Sequence, residues 1–304
     1  MKHTRRCGAT TLREGLFMSV SRRISDLGRL IALAGSLSVG AFAAQAADLP
    51  RVVSMNLCTD QLVLLLAEPE QIVSLSRLAT DARSSSLAEQ AKAYPRNAGR
   101  AEEIFLSAPD ILLAGTYSDK TTLATLRSLG LRVEQFPITT ALDQIPQQIR
   151  QMGEVLHQQG KAAARAAEVE AYLDAVVPPD STAPVAAFYY PNGYSLGANT
   201  LGHDIITAAG FRNLTQELGM KGSGNLDLEQ LVVQAPDVLI SSPRYPGGSR
   251  SEEIMFHPAI AHYARDERLI FSSADWVCGT PITLRAVRDV RRARETIMHQ
   301  EQDQ

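Results

Sequence analysis

Two glutamates, Glu102 and Glu229, occupy the same place in a segment that the chain contains twice. The sequence EEIFLSAPDILL at residues 102–113 returns as EQLVVQAPDVLI at residues 229–240, and each copy places its first glutamate eight residues before an aspartate that follows a proline. Each copy predicts a short helix, a proline break and an apolar strand. Two carboxylates held at equivalent points of two similar units can orient a partner that carries complementary cations.

A second pattern, GYSLG at residues 193–197, is typical of a catalytic nucleophile. A hydrolase of this type needs the serine on a sharp turn directly between a strand and a helix. Here Pro-Asn separates the preceding strand from the motif, and the candidate acid Asp237 belongs to the repeated segment. The pattern therefore favours a structural turn, and we assign no catalytic residue. A secreted serine hydrolase that uses Ser195, with Asp237 and His257, stays as a distant alternative.

Direct capture of a bare metal ion is disfavoured, because zinc and manganese sites need several converging histidines or carboxylates. The histidines beyond residue 46 are dispersed along the chain: His157, His203, His257, His262 and His299. The sequence also lacks a phosphate-binding loop of the P-loop type, so ATP hydrolysis would belong to a partner. We predict a protein that is not an enzyme, with no metal site and no cofactor of its own.

The start of the chain, residues 1–46, is typical of a cleavable export signal, because a basic run precedes an apolar segment and the small-x-small sequence AQA. The fifteen apolar or small residues at 30–44 are fewer than the roughly 20 that span a bilayer. The sequence leaves open Sec or twin-arginine export, and a true start at Met1 or Met18. We expect the remainder to be exported and soluble.

The 258 residues beyond the leader carry a net charge of −8, since the leader holds seven basic and two acidic residues. An acidic protein is a poor candidate for nucleic acid, whose recognition rests on a basic face. Two cysteines remain in this part, Cys58 and Cys278. An oxidising compartment permits a disulfide between them, but the sequence leaves bonded and free thiols equally open.

Alternating apolar and helical segments predict a parallel sheet with covering helices in each half of the chain. Near the start, a strand at 51–55 leads to a helix at 61–67 that Thr59 or Asp60 can cap. Residues 141–177 break the alternation, and their Ala- and Glu-rich part, 161–177, predicts one helix of about 25 Å. The expected organisation is an N-terminal lobe, a helical segment and a C-terminal lobe: residues 47–140, 141–178 and 179–304.

Several motifs, in this order, resemble those of the iron-chelate and cobalamin periplasmic binding proteins of ABC importers: RVVSMNLCTDQLVLLLA, EEIFLSAPDILLAG, YPNGYSLGANTLGHDIITAAGFRNL, LEQLVVQAPDVLISS and DWVCGTPITLRAV. The resemblance covers nearly all of residues 50–298. It implies two α/β lobes with parallel sheets, joined by a single long backbone helix, with a ligand cleft between them. It further implies a periplasmic monomer whose Glu102 and Glu229 dock onto arginines of an ABC permease dimer.

Ligands of parallel sheets bind outside the carboxyl ends of the strands, so the loops there supply the candidate residues. We predict ligand contacts from Asn56, Arg77, Arg96, Tyr117, Tyr190, Asn192, Arg244, Tyr245 and Trp276. Arginines bind carboxylate, catecholate or phosphate oxygens, and aromatic rings stack on flat ligands.

The identity of the ligand depends on two departures from the family pattern. The resemblance implies that cobalamin-binding members carry aromatic residues six positions before each docking glutamate, where this chain has Arg96 and Ser223. An anionic metal chelate, foremost a ferric siderophore, is therefore the predicted ligand, and cobalamin is the alternative. Of Tyr189 and Tyr190, which alternate across a strand, only one should face the cleft.

Overall fold

The computed structural model describes residues 49–244, 247 and 250–302. The predicted export signal lies outside these residues, and so does Tyr245, one of the predicted ligand contacts. Within the described ranges, no helix combines the length and the apolar character that crossing a membrane would require.

The N-terminal lobe contains a parallel sheet covered by helices. Its strands are β1 (Val52–Ser54), β2 (Ile72–Ser76), β3 (Arg96–Asn97), β4 (Ile111–Gly115) and β5 (Arg132–Phe136). Its α-helices are α1 (Leu57–Leu66), α2 (Ala88–Ala91), α3 (Ala101–Leu106) and α4 (Lys120–Ser128). The strands are all parallel, in the order β3-β2-β1-β4-β5. The central strands are apolar on both faces: Leu112 and Leu113 are both fully buried, in clusters on opposite sides of the sheet, as a doubly covered parallel sheet requires.

Two helices, α5 (Ile145–Val155) and α6 (Gln159–Asp174), connect this sheet to the next one. A side chain at Gly153 would collide with the Cβ of Ala162, so the glycine allows the two helices to approach closely. The helix predicted at 161–177 is therefore present as α6, which begins two residues earlier and ends three residues earlier.

The C-terminal lobe repeats the arrangement with a smaller sheet. Its strands are β6 (Val185–Phe188), β7 (Tyr194–Leu196), β8 (Arg212–Asn213), β9 (Ser223–Asn225), β10 (Val238–Ser241) and β11 (Leu269–Phe271). Its α-helices are α7 (Leu201–Ala208), α8 (Leu214–Glu217), α9 (Leu228–Gln234), α10 (Pro258–Arg265) and α11 (Thr283–Gln302). Four strands are parallel in the order β11-β10-β6-β8, while β7 and β9 form an antiparallel pair. The two lobes and their helical connection confirm the predicted fold class.

Single turns of 3₁₀-helix occur in both lobes. They are Pro69–Gln71, Arg77–Thr80, Leu142–Gln144, Pro191–Gly193 and Ala274–Trp276, with a longer stretch at Arg250–Phe256. Three of them, which begin at Arg77, Pro191 and Ala274, follow the carboxyl ends of strands, where candidate ligand residues lie.

One hydrophobic cluster extends through both lobes and the helices that connect them. It includes Val52 and Leu66 of the N-terminal lobe, Ile149 and Val169 of the connecting helices, and Phe188 of the C-terminal lobe, each at most 1% exposed. Because burial of apolar surface is the main stabilising contribution, moving the lobes far apart would break this shared core.

The repeated segment has the same structural role in both lobes. The Asp110 carboxylate accepts a hydrogen bond from the backbone N–H of Arg51, just before β1, and the Asp237 carboxylate accepts one from Val185 at the start of β6, both at 2.7 Å. Each aspartate therefore ties the strand of its own copy to the first strand of its lobe. This duplication supports a structural interpretation of Asp237.

Helix α1 begins at Leu57, four residues earlier than predicted, and the predicted cap at Thr59 or Asp60 is wrong. The Asn56 Oδ1 atom caps the helix, accepting from the backbone N–H groups of Cys58 at 2.9 Å and Thr59 at 3.4 Å. Asp60 instead turns inward, where its carboxylate accepts hydrogen bonds from the backbone N–H and hydroxyl of Ser76. Burial raises the pKa of Asp60 to about 6, although these hydrogen bonds act to lower the pKa.

The buried Asp60 predicts a pH-dependent stability. Since its pKa is raised to about 6 in the folded protein from 3.8, the folded state binds this proton more tightly than the unfolded chain. The free energy of unfolding should fall as the pH rises from about 4 to about 6, by about 3 kcal/mol from this group. Urea unfolding monitored by the fluorescence of Trp276 measures it. Asp60→Asn should remove this slope, and the exposed control Asp174→Asn should keep it; equal slopes in all three proteins would contradict the assignment.

Candidate functional site

The topology of both sheets points to the same face of the molecule. Strand order reverses between β1 and β4 in the N-terminal lobe and between β6 and β10 in the C-terminal lobe. Crevices form at such reversals, outside the carboxyl ends of the strands. Asn56 and Tyr117 follow β1 and β4, while Tyr190 and Arg244 follow β6 and β10. These four loops are therefore the candidate site.

An interlobe cavity of about 260 Å³ lies at the N-terminal reversal. Asn56, Thr116 and Tyr117 line it from the strand ends, and Val277 and Gly279 line it from the C-terminal lobe. The Asn56 side chain is committed to capping α1, whereas Tyr117 is 82% exposed and available to a ligand.

The far wall of the interlobe cavity is fixed by hydrogen bonds. The Gln148 Nε2 group donates to the Thr139 Oγ1 atom at 2.7 Å and to the backbone carbonyl of Pro137 at 3.2 Å. A side chain at Gly279 would collide with Thr139, so the two lobes are in close contact here. This cavity is preformed and offers mostly neutral hydrogen-bonding groups and apolar surface.

A disulfide joins the lobes beside the interlobe cavity. It pairs Cys58, in the first turn of α1, with Cys278, which is 2% exposed in the loop before α11. The Cα atoms are 5.2 Å apart, although 220 residues separate the two cysteines in the chain. The disulfide restricts separation of the lobes at this edge of the cleft.

A basic rim pocket of about 640 Å³ lies beyond β2 and β3 in the N-terminal lobe. Arg77, Lys92 and Arg96 line it together with one acidic residue, Glu103, and Arg96 donates to the Thr80 hydroxyl at 3.4 Å. Lys92 is neutralised by Glu89 at 2.6 Å, but neither arginine forms an ion pair with a described residue. Two exposed guanidinium groups without carboxylate partners can bind an anionic oxygen ligand.

An aromatic row follows β6 in the C-terminal lobe. The ring centroids of Tyr194 and Tyr190 are 6.3 Å apart, those of Tyr190 and Phe188 are 6.1 Å apart, and Trp276 meets Phe188 edge to face at 6.1 Å. Burial raises the pKa of Tyr190 to about 12, although a hydrogen bond to Ser272 opposes this shift. Tyr190 is therefore neutral, and its mainly buried ring supports the more exposed Tyr194.

The neighbouring Tyr189 has a different environment. It is 1% exposed and lies in a separate cluster of the C-terminal lobe, away from the cluster that Tyr190 contacts. The alternation of the two tyrosines across the strand end accounts for this difference.

A second apolar pocket, of about 250 Å³, lies beyond β10 and β11. The Arg244 guanidinium stacks 3.9 Å from the centre of the Phe256 ring, and Phe271 lines the same pocket. Both phenylalanines are more than half exposed. Neither was predicted from the sequence; the position of Phe271 at the end of a strand is the signal that could have identified it.

The predicted ligand residues therefore lie in several separate places. They distribute as follows: Asn56 and Tyr117 in the interlobe cavity, Arg77 and Arg96 at the basic rim pocket, Tyr190 and Trp276 in the aromatic row, and Arg244 in the apolar pocket. Asn192 is exposed in a turn at φ 61°, and its carbonyl accepts from Asn225 at 3.1 Å. Thr116 and Val277 also line the interlobe cavity, within loops that follow strands, whereas sequence reasoning missed Thr139, which no distinctive motif marks.

The residues of the hydrolase alternative do not form a catalytic triad. Ser195 is fully buried and donates its hydroxyl to the Phe188 carbonyl at 2.6 Å. The Asp237 carboxylate is bound to the Val185 N–H, and the His257 Nδ1 atom accepts from the N–H of Ala259 at the start of α10. Nor do three or more histidine, cysteine or acidic side chains converge as metal ligands anywhere in the described residues.

A further groove, of about 530 Å³, lies at the opposite end of the C-terminal sheet. Pro184, Gly210 and Arg294 line it, and Pro184 immediately precedes β6. It adjoins the amino end of this strand, away from the reversals of strand order, so it is not the candidate site.

Comparison with known proteins gives a consistent result. Residues 52–264 match the family model described as periplasmic binding protein. A cobalamin-binding protein of Halobacterium salinarum is 30% identical over 196 residues, which are 63% of this chain and 53% of that protein. The chain thus spans about half the length of the curated relatives it matches.

Solved structures show the same architecture. The apo periplasmic heme-binding protein RhuT of Roseiflexus sp. RS-1 has a TM-score of 0.67 and 25% identity, covering 82% of this chain and 98% of that one. The vitamin B12-binding protein BtuF of Vibrio cholerae has a TM-score of 0.62 and 18% identity, with the same coverage. The latter similarity concerns the fold alone.

The disulfide should contribute measurably to stability. Replacing both cysteines, Cys58→Ser with Cys278→Ser, should lower the free energy of unfolding by about 2–4 kcal/mol, because a very long loop is no longer closed in the unfolded chain. Urea unfolding with and without a thiol reductant measures this. Reductant should destabilise the wild-type protein to the same level and leave the double variant unchanged. A wild-type midpoint that does not respond to complete reduction would contradict this expectation.

Proposed function

Because this chain belongs to the periplasmic binding protein family, we propose that it captures an anionic iron chelate and delivers it to an ABC import permease. The family supports a periplasmic location and a role in binding rather than in catalysis. A ferric siderophore, or another iron complex with carboxylate or catecholate oxygens, is the proposed ligand. The protein acts as a monomer that presents this ligand to a permease dimer.

The basic rim pocket carries this proposal. The chain beyond the leader has a net charge of −8, yet Arg77 and Arg96 are exposed side by side in one pocket, without ion-pair partners among the described residues. Unneutralised guanidinium groups in an acidic protein favour an anionic ligand with oxygen acceptors, which arginine can bind in bidentate fashion.

Aromatic and apolar side chains supply the second part of the proposed site. Tyr117, Tyr194, Phe256 and Phe271 are all at least 43% exposed around the carboxyl ends of the strands. Rings of this kind stack on flat ligand surfaces and on delocalised systems. The similarity to a heme-binding protein, RhuT, favours an iron complex with such surfaces.

Cobalamin is the second candidate ligand, and the cobalamin-binding relative at 30% identity favours it. The departures at Arg96 and Ser223 argue against it. Arg96 lines the basic rim pocket and Ser223 is exposed in β9, so neither position provides an aromatic ring. The two candidates differ in charge and are separated by direct binding.

Binding of a chelate panel tests the ligand class. Fluorescence of Trp276, the only tryptophan, should be quenched by hemin or by a ferric catecholate or carboxylate complex at sub-micromolar concentration, and less by cyanocobalamin. Since the proposed ligand is anionic, Arg77→Ala with Arg96→Ala should weaken its binding at least tenfold, or about 1.4 kcal/mol.

The exposed Arg165→Ala, on α6, is the control and should bind like wild type. Tight binding of cyanocobalamin without a response to any ferric chelate would reverse the order of the two candidates. An unchanged affinity in the double arginine variant would remove the basic rim pocket from the site.

The exposure of Glu102 and Glu229 supports their proposed role in docking. Glu102 and Glu229 are both exposed, near the start of α3 and α9, and neither makes a hydrogen bond or ion pair with a described residue. Glu103 differs, because its carboxylate accepts from the Ala98 N–H at 2.8 Å, and Gln230 replaces it in the other copy. Only the first glutamate of each copy is therefore free for an external cation.

Glu102→Ala with Glu229→Ala should impair transport and spare ligand capture. Ligand affinity should stay within about threefold of wild type, because surface charges outside the site mainly affect association with a charged partner. Uptake by cells that depend on this protein should fall sharply, with each single variant intermediate. The matched control Glu103→Ala with Gln230→Ala should retain uptake unless it destabilises the protein, which urea unfolding monitors. Normal uptake by the glutamate double variant would remove the docking assignment.

A further inference from the structure

The duplicated segment exposes a pair of apolar side chains in each lobe. Phe105 and Leu106 of α3 occupy the same positions as Val232 and Val233 of α9. Leu106 is 82% exposed and Val233 78%, while Phe105 and Val232 are about half exposed. Single apolar residues on a surface are common, but adjacent pairs at equivalent points of two lobes mark a contact surface.

The two pairs are presented by the same local structure. Ile104 and Leu231, one residue before each pair, are 1% and 2% exposed and fasten the helices to their lobes. Both segments then turn at an alanine with positive φ, 44° at Ala108 and 42° at Ala235, a conformation that few non-glycine residues adopt. The aspartates that follow anchor both turns to the first strands. The chain thus fixes the orientation of both pairs alike.

Each pair shares a helix face with the free glutamate. Glu102 precedes Phe105 by three residues and Leu106 by four, and residues at these spacings are neighbours on a helix surface. The same spacing relates Glu229 to the two valines. We name these surfaces the N-terminal patch (Glu102, Phe105, Leu106) and the C-terminal patch (Glu229, Val232, Val233).

We infer that the two patches form one bipartite docking surface, in which apolar contacts supply much of the affinity for the permease beside the glutamates. The inference rests on the proposed function. A chain that carries the same surface twice fits a partner that also presents its surface twice, as a dimer of equivalent subunits does. The matching permease surface is a cation bordered by exposed apolar side chains, once in each subunit.

The two kinds of contact have different physical consequences. The glutamates act through charge, so their effect weakens with salt and concerns mainly encounter and orientation. The apolar pairs act through removal of surface from water, an effect that salt does not screen. Because Phe105 and Leu106 are larger than the two valines, the N-terminal patch should contribute more.

Uptake in cells that depend on this protein tests the inference. Leu106→Ser with Val233→Ser is compared with Leu129→Ser and Val177→Ser, which change a leucine and a valine of similar type that are 51% and 79% exposed elsewhere. The probe is whichever of hemin, a ferric hydroxamate, a ferric catecholate or cyanocobalamin the wild-type cells import. Ligand affinity of each purified protein is measured separately by Trp276 fluorescence, and folding by urea unfolding.

The patch variant should bind the probe within threefold of wild type and lower uptake at least tenfold, while the control variant does neither. Overproduction of the patch variant should restore part of the uptake, because weak docking is overcome by concentration. Leu106→Ser alone should have a larger effect than Val233→Ser alone.

Uptake by the patch variant equal to that of the control overturns the inference, even where the glutamate variants lose uptake. Loss of probe binding also overturns it, since the patches would then act in ligand capture. If wild-type cells import none of the probes, the proposed function itself fails, and the inference fails with it.

Discussion

The apolar core that both lobes share is the constraint on which the rest of the structure depends. It extends from β1 through α5 and α6 to β6, so neither lobe is stabilised independently of the helices that connect them. Close contact of Gly279 with Thr139 and the Cys58–Cys278 disulfide add to it at one edge of the cleft. A cleft bounded in this way changes shape little, and recognition must rely on side chains that are already in position.

Within this fixed frame, the chemistry of the cleft is divided between the lobes. The N-terminal lobe contributes the guanidinium groups of the basic rim pocket, and the C-terminal lobe contributes most of the exposed rings. A ligand that spans both needs anionic oxygens at one end and flat apolar surface at the other. Under the proposed function, an extended ligand would contact each pocket with a different part, which accounts for the spread of the predicted residues over several pockets.

The repeated segment combines residues that stabilise its lobe with exposed residues to which we assign a docking role only by proposal. Its aspartate closes a backbone hydrogen bond within its own lobe, and its isoleucine or leucine enters the core. Its glutamate and the apolar pair after it remain on the surface with no such internal role. The duplication therefore repeats two kinds of position: positions with a structural role inside the lobe, and exposed positions without such a role.

The sequence by itself determined the fold class, because hydrophobic periodicity and turn residues act locally and the resemblance orders the segments along the chain. It also located the repeat and most loops that follow strands. Local patterns misplaced the cap of α1. The helix begins at Leu57 and Asn56 caps it, while the fold buries the Asp60 side chain against Ser76.

Other features needed the tertiary structure. The pairing of Cys58 with Cys278 depends on bringing together residues 220 positions apart. The burial of Ser195, and the hydrogen bond that engages Glu103 while Glu102 stays free, depend on the direction in which the fold turns each side chain. Spacing along a sequence indicates which residues could be in contact. Only the packing of the two lobes decides which of these contacts form.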